Sequence, residues 1–84
     1  MIFLERWDSM EFQATDYKPE DICRIMREWT DLERKDFGKS IHRTERSVRS
    51  LETGERTFSV QTLLDIAKAH DIKIIIKKDV KERK

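Results

Sequence analysis

With a single cysteine, Cys23, the chain can form no internal disulfide and no cysteine cage for zinc. Two glycines and one proline exclude a collagen-like or loop-dominated chain and favour helices with short connections. Long apolar runs are missing as well, since no stretch approaches the ~20 residues needed to cross a bilayer. Met1-Ile2-Phe3-Leu4 is apolar, but Glu5, Arg6 and Asp8 interrupt it before a signal-peptide core can form. These shortages imply a soluble, cytoplasmic protein in a reducing setting, without membrane association. Net charge is only +1, too little for a diffuse attraction to nucleic acid.

What is present is 84 residues, 42% charged and 37% hydrophobic, which suits one small core beneath an ionised surface. The charge is unevenly spread. Residues 1–31 hold four basic and eight acidic side chains, a net of −4. Residues 32–56 hold seven and five, a net of +2, and residues 57–84 seven and four, a net of +3. The asymmetry is mild and says little alone.

Periodicity divides the chain into residues 1–17, 18–71 and 72–84. In the first part, Ile2 to Trp7 and Met10 to Thr15 flank Asp8-Ser9, which predicts a hairpin or an extended leader. Pro19 suits the first turn of a helix, and Ile22, Ile25, Met26 and Trp29 then define one buried stripe. Cys23 lies beside that stripe with no nearby histidine, so it reads as a filler thiol, not a nucleophile. Thr30-Asp31-Leu32-Glu33 fits a capping box opening a helix to about Ser40, with Leu32, Phe37 and Ile41 inward. Its first amides would offer a phosphate a dipolar site. Gly38 in mid-helix points to another stretch of backbone passing close by.

After the turn at His42-Arg43, Thr44 caps a helix whose only apolar anchors are Val48 and Leu51. Gly54 stops it, and Ser59 caps a last helix with Val60, Leu63, Leu64, Ile66 and Ala67 mostly buried. Ile72 to Ile76 is β-branched and bounded by charge, which predicts a strand. A lone strand leaves backbone groups unpaired, so it needs the N-terminal hairpin or a second subunit. The expected fold is mainly α, a four- to five-helix domain with short terminal strands forming a small sheet or a dimer strand pair.

The helix at 44–53 carries the functional expectation. Its outward Arg46 and Arg49 can give paired donors to guanine O6 and N7, Glu45 can accept from cytosine N4, and Ser50 can meet a base or phosphate. Arg34, Lys35, Lys39, Arg43 and Arg56 surround it as phosphate contacts. Nothing suggests catalysis or a cofactor: the chain has no His-x-x-x-His, no Cys-x-x-Cys, no phosphate-binding glycine loop and no Ser/His/Asp arrangement. His42 and His70 belong to a turn and a helix end.

A resemblance sharpens this reading. Phe37-Gly38-Lys39-Ser40-Ile41, then Val48 to Arg56, then Ser59-x-x-Thr62-Leu63-Leu64-x-Ile66-Ala67 together resemble the Cro/repressor (XRE) helix-turn-helix family over about half the chain. The resemblance implies that the helix at 32–40 crosses the DNA backbone and the helix at 44–53 is the recognition helix. Thr44, Glu45, Arg46, Arg49 and Ser50 would then face bases or phosphates, with Thr44 among the phosphate contacts and Glu52 structural. Four positions depart from the family pattern. Arg34 stands for a usual Gln, Gly38 for Ala, His42 for Gly at an expected positive φ, and Phe58 for Pro.

The expected function is a sequence-specific regulator of transcription, a repressor binding a palindromic double-stranded operator as a homodimer. The alternative is an antitoxin-like or accessory module gripping a partner protein through its terminal strands, motivated by Phe3, Trp7, Phe12 and Tyr17. Sequence-independent architectural binding is disfavoured by the small net charge.

Overall fold

A computed structural model describes residues 10–80, and the order of its elements follows local signals closely. A 3-10 turn at Ala14–Asp16 leads into α1 (Pro19–Thr30), α2 (Arg34–Ser40), α3 (Glu45–Thr53) and α4 (Val60–Ala69). Pro19 opens α1, with Glu20 and Asp21 in its first turn favouring the positive end of the helix dipole. Thr44 and Ser59 cap α3 and α4, each side chain accepting a hydrogen bond from the amide three residues on. Gly54 ends α3 at φ 87°. Three non-glycine residues also take the left-handed conformation after helices: Asp31 at φ 60°, His42 at φ 60° and Asp71 at φ 55°. His42 therefore meets the positive φ expected of it.

One core joins all four α-helices. Cys23 and Met26 of α1, Phe37 of α2, Ile41 after it, Val48 and Leu51 of α3, and Ile66 and Ala67 of α4 are buried together. Ile22, Leu32, Phe58, Leu63 and Ile72 pack around them. His70 lies flat on Phe37, ring centroids 5.4 Å apart, and its Nε2 is 2.8 Å from Ser40 Oγ. That pairing ties the end of α4 to α2, so His70 is a packing residue.

Gly38 is required by geometry. A Cβ there would sit 2.6 Å from the Arg43 carbonyl oxygen, inside any normal contact, while the Gly38 carbonyl accepts from the Arg43 amide at 2.8 Å. The α2–α3 turn folds directly back over this glycine. Gly38→Ala would gain ~1 kcal/mol of helix propensity and lose ~1–3 kcal/mol to overpacking. We expect a net loss of about 1 kcal/mol in denaturant melts; a stabilised variant would show that the turn can move aside.

Burial pushes the Cys23 thiol up to about 12, with Glu52 adding to the effect. A thiol so placed stays protonated and shielded. Native protein at pH 8 should resist a thiol reagent and react only at the rate of unfolding, whereas rapid labelling would contradict this burial.

The structure corrects several sequence expectations. Among the described residues there is no strand. Of Met10–Thr15, residues 10–13 are irregular and Ala14 and Thr15 belong to the 3-10 turn, while Ile72–Ile76 pairs with no strand among the described residues, because β-branching supplies a preference but not a partner. The other half of the expected hairpin, Ile2–Trp7, lies outside the described residues. Thr30 does not cap α2. Its hydroxyl donates to the Arg27 carbonyl at 2.6 Å and accepts from the Leu32 amide at 3.2 Å, closing α1 instead. Glu33 holds the cap position of α2, and a carboxylate there opposes the expected phosphate site at its amides. Val60 and Leu64 are exposed; the buried face of α4 runs through Thr62, Ile66 and Ala67.

Candidate nucleic-acid interface

The inner stripe of α3 consists of Val48, Leu51 and Glu52, all buried. A carboxylate on that stripe must be paired, and Glu52 is paired twice. The Arg27 guanidinium donates to both of its oxygens, Nη2 lying 3.1 Å from Oε1. Arg27 Nη1 also donates to the Leu32 carbonyl at 3.1 Å, and Arg34 Nε reaches Glu52 Oε1 at 3.0 Å. The Glu52 side chain is 1% exposed, against 17% for Arg27 and 36% for Arg34. Its hydrogen bond to Glu52 raises the Arg27 pKa further, keeping the guanidinium charged. One buried carboxylate thus locks α3 to α1 and to the start of α2.

The outer face of α3 is thereby held at a fixed angle. Glu45, Arg46, Arg49 and Thr53 are exposed there, with Ser50 partly so. Arg46 and Arg49 enter no ion pair among the described residues. With Arg34, Thr44 and Glu45 they line an open hollow of about 570 Å³ where the starts of α2 and α3 converge. Ser50 Oγ donates to Glu55 at 3.3 Å, and its carbonyl accepts from the Arg56 amide at 3.1 Å, which holds the Glu55–Arg56 loop against the end of α3.

Other expected contacts take varied places. Lys35, Lys39 and Arg56 are exposed. Thr44 is exposed while its hydroxyl caps Ser47 at 3.0 Å. Arg43 turns inward, donating to Ser47 Oγ and to Thr62 Oγ1, each at 3.0 Å, so its head group staples α3 to α4. Arg34 divides its guanidinium, with Nε on Glu52 and the side chain still lining the hollow.

Comparison with protein-family models, curated proteins and solved structures found no match. The chain's own geometry therefore carries the functional argument. Among the described residues, no group of three or more His, Cys, Asp or Glu side chains could hold a metal. No helix among them is long and apolar enough to cross a membrane.

Arg27, central to this geometry, went unremarked in the sequence, and Thr62 entered only as part of the family pattern, without its partner Arg43. A signal existed for Arg27: Glu52 continues the Val48–Leu51 stripe at helical spacing, and a charge on a buried stripe demands a counter-charge. Nothing local marked which arginine would supply it.

Proposed function

We propose that this protein binds double-stranded DNA in a sequence-directed way, with α3 in the major groove, and acts as a transcriptional regulator of the repressor type. The observation that carries the reading is the exposure of Arg46 and Arg49 on a helix whose opposite face is fixed by Val48, Leu51 and Glu52. Nine helical residues span about 14 Å, comparable with a groove of about 12 Å. Arg46 and Arg49 supply paired donors to guanine, Glu45 an acceptor for cytosine N4, and Ser50 a short polar contact. The hollow at the starts of α2 and α3 receives the sugar-phosphate backbone, with Arg34 and Thr44 on its wall and Lys35, Lys39 and Arg56 around it. Arg43 contributes by setting the turn, since its guanidinium is occupied internally.

The resemblance to Cro/repressor helix-turn-helix proteins supports the same assignment of α3. A second reading, binding of a protein partner through the terminal segments, is supported by Ile74, Ile75 and Ile76, which are exposed.

Selection of bound molecules from a random duplex pool tests the proposal. Enrichment of a short motif containing guanines supports it. Recovery of an unenriched pool at physiological salt would overturn it.

A further inference from the structure

The turn after α3 carries a carboxylate onto the face assigned to DNA. Val48, Leu51 and Glu52 are buried on α3, and at about 100° per residue Arg46, Ser50 and Thr53 stand opposite them. Gly54 at φ 87° reverses the chain, and the Arg56 amide donates to the Ser50 carbonyl at 3.1 Å. Glu55 lies between these two anchors and is drawn back along the helix, where its Oε1 accepts from Ser50 Oγ at 3.3 Å. It is exposed and enters no ion pair among the described residues, although Arg56 follows it directly.

Hydrogen-bond chemistry makes this pair one-sided. A carboxylate only accepts, and the single hydroxyl proton of Ser50 is already given to it. Ser50 and Glu55 together therefore offer acceptors and no donor. Arg46 and Arg49 offer donors and no acceptor. The outer face of α3 thus sets two donor side chains between an acceptor at its start, Glu45, and a second acceptor at its end. We infer that Glu55, positioned by Ser50, is a specificity-determining residue, an inference resting on the placement of α3 in the major groove proposed above. It selects an exocyclic amino group, cytosine N4 or adenine N6, beside the guanines read by Arg46 and Arg49. Guanine O6 or thymine O4 in that place would meet two acceptors with no proton between them, and would lose its water without gaining a partner. The same carboxylate repels phosphate oxygens, which disfavours sequence-independent approach of this end of α3 to the backbone.

Binding to the selected motif, varied one base pair at a time, tests this role. At one position the parent should prefer a base with an amino group over one with a keto oxygen by about tenfold. Glu55→Gln, whose amide both donates and accepts, and Glu55→Ala, which does neither, should each reduce that preference to about twofold or less. Both variants lose the charge that repels phosphate and should bind unrelated duplexes about three- to tenfold more tightly. A variant with a merely loosened fold would bind every duplex more weakly, so this gain separates the two causes. Unchanged base preference in both variants, while Arg46→Ala still alters its own position, would overturn the role of Glu55 and leave α3 in the groove. Weaker binding of unrelated duplexes by both variants would overturn it as well. If the parent selects no motif at all, both readings fall.

Discussion

Glu52→Ala is expected to remove about 3–5 kcal/mol of stability, because it strands the buried end of Arg27 without a counter-charge. For a domain of this size that corresponds to roughly 12–40 °C in Tm, a large share of the ~5–15 kcal/mol a small protein has. The loss has two parts. Arg27 is only 17% exposed and cannot rehydrate without breaking its bond to the Leu32 carbonyl. Arg34, at 36% exposure, can turn to solvent, so its share is smaller. Pairing Glu52→Leu with Arg27→Met removes both charges at once and should recover most of the loss, since apolar replacements of buried pairs are often neutral. Thermal melts of the single and double variants decide the matter. A single variant within 1 kcal/mol of the parent would show that the lock contributes little.

The second large effect concerns binding. On the duplex preferred by the protein, Arg46→Ala and Arg49→Ala should each cost about 1–3 kcal/mol, a factor of roughly 5 to 150 in affinity. Unrelated duplexes should be bound almost as before. Neither change should move stability by more than about 0.5 kcal/mol, because both side chains are exposed and enter no ion pair among the described residues. Lys35→Ala and Lys39→Ala should behave oppositely, weakening all duplexes alike and lowering the salt slope by about one each. Titrations at several salt concentrations separate the two patterns. If all four variants act identically on preferred and unrelated DNA, the division between base-reading and phosphate-binding residues fails.

Local signals made much of this architecture legible. Thr44, Ser59, Gly54 and Pro19 marked helix ends correctly, because caps and stops act within a few residues of themselves. The inward pair Val48 and Leu51 left an outer face that could be named in advance. Gly38 announced the close backbone approach that the Arg43 carbonyl makes. The failures were of a different kind. Thr30 carries the same residue type as a genuine cap, but its hydroxyl is spent within α1. Val60 and Leu64 fit an apolar stripe whose width periodicity could not decide, and the core meets only the Thr62–Ile66–Ala67 side. The partners of Glu52 lie 25 and 18 residues away, and Thr62, one of the two partners of Arg43, lies 19 away, so no spacing rule reaches them. The isoleucines at 72–76 express a preference for a strand, but no partner strand stands among the described residues.

The arginines of α3 are the centre of the account, and a cycle of paired changes in protein and DNA tests them most directly. Each guanine of the preferred duplex is replaced in turn by 7-deazaguanine, which lacks the N7 acceptor, and binding of the parent, Arg46→Ala and Arg49→Ala proteins is measured. The account predicts that at one guanine per half-site the parent loses affinity while one arginine variant is indifferent. Full additivity at every guanine for both variants would contradict it.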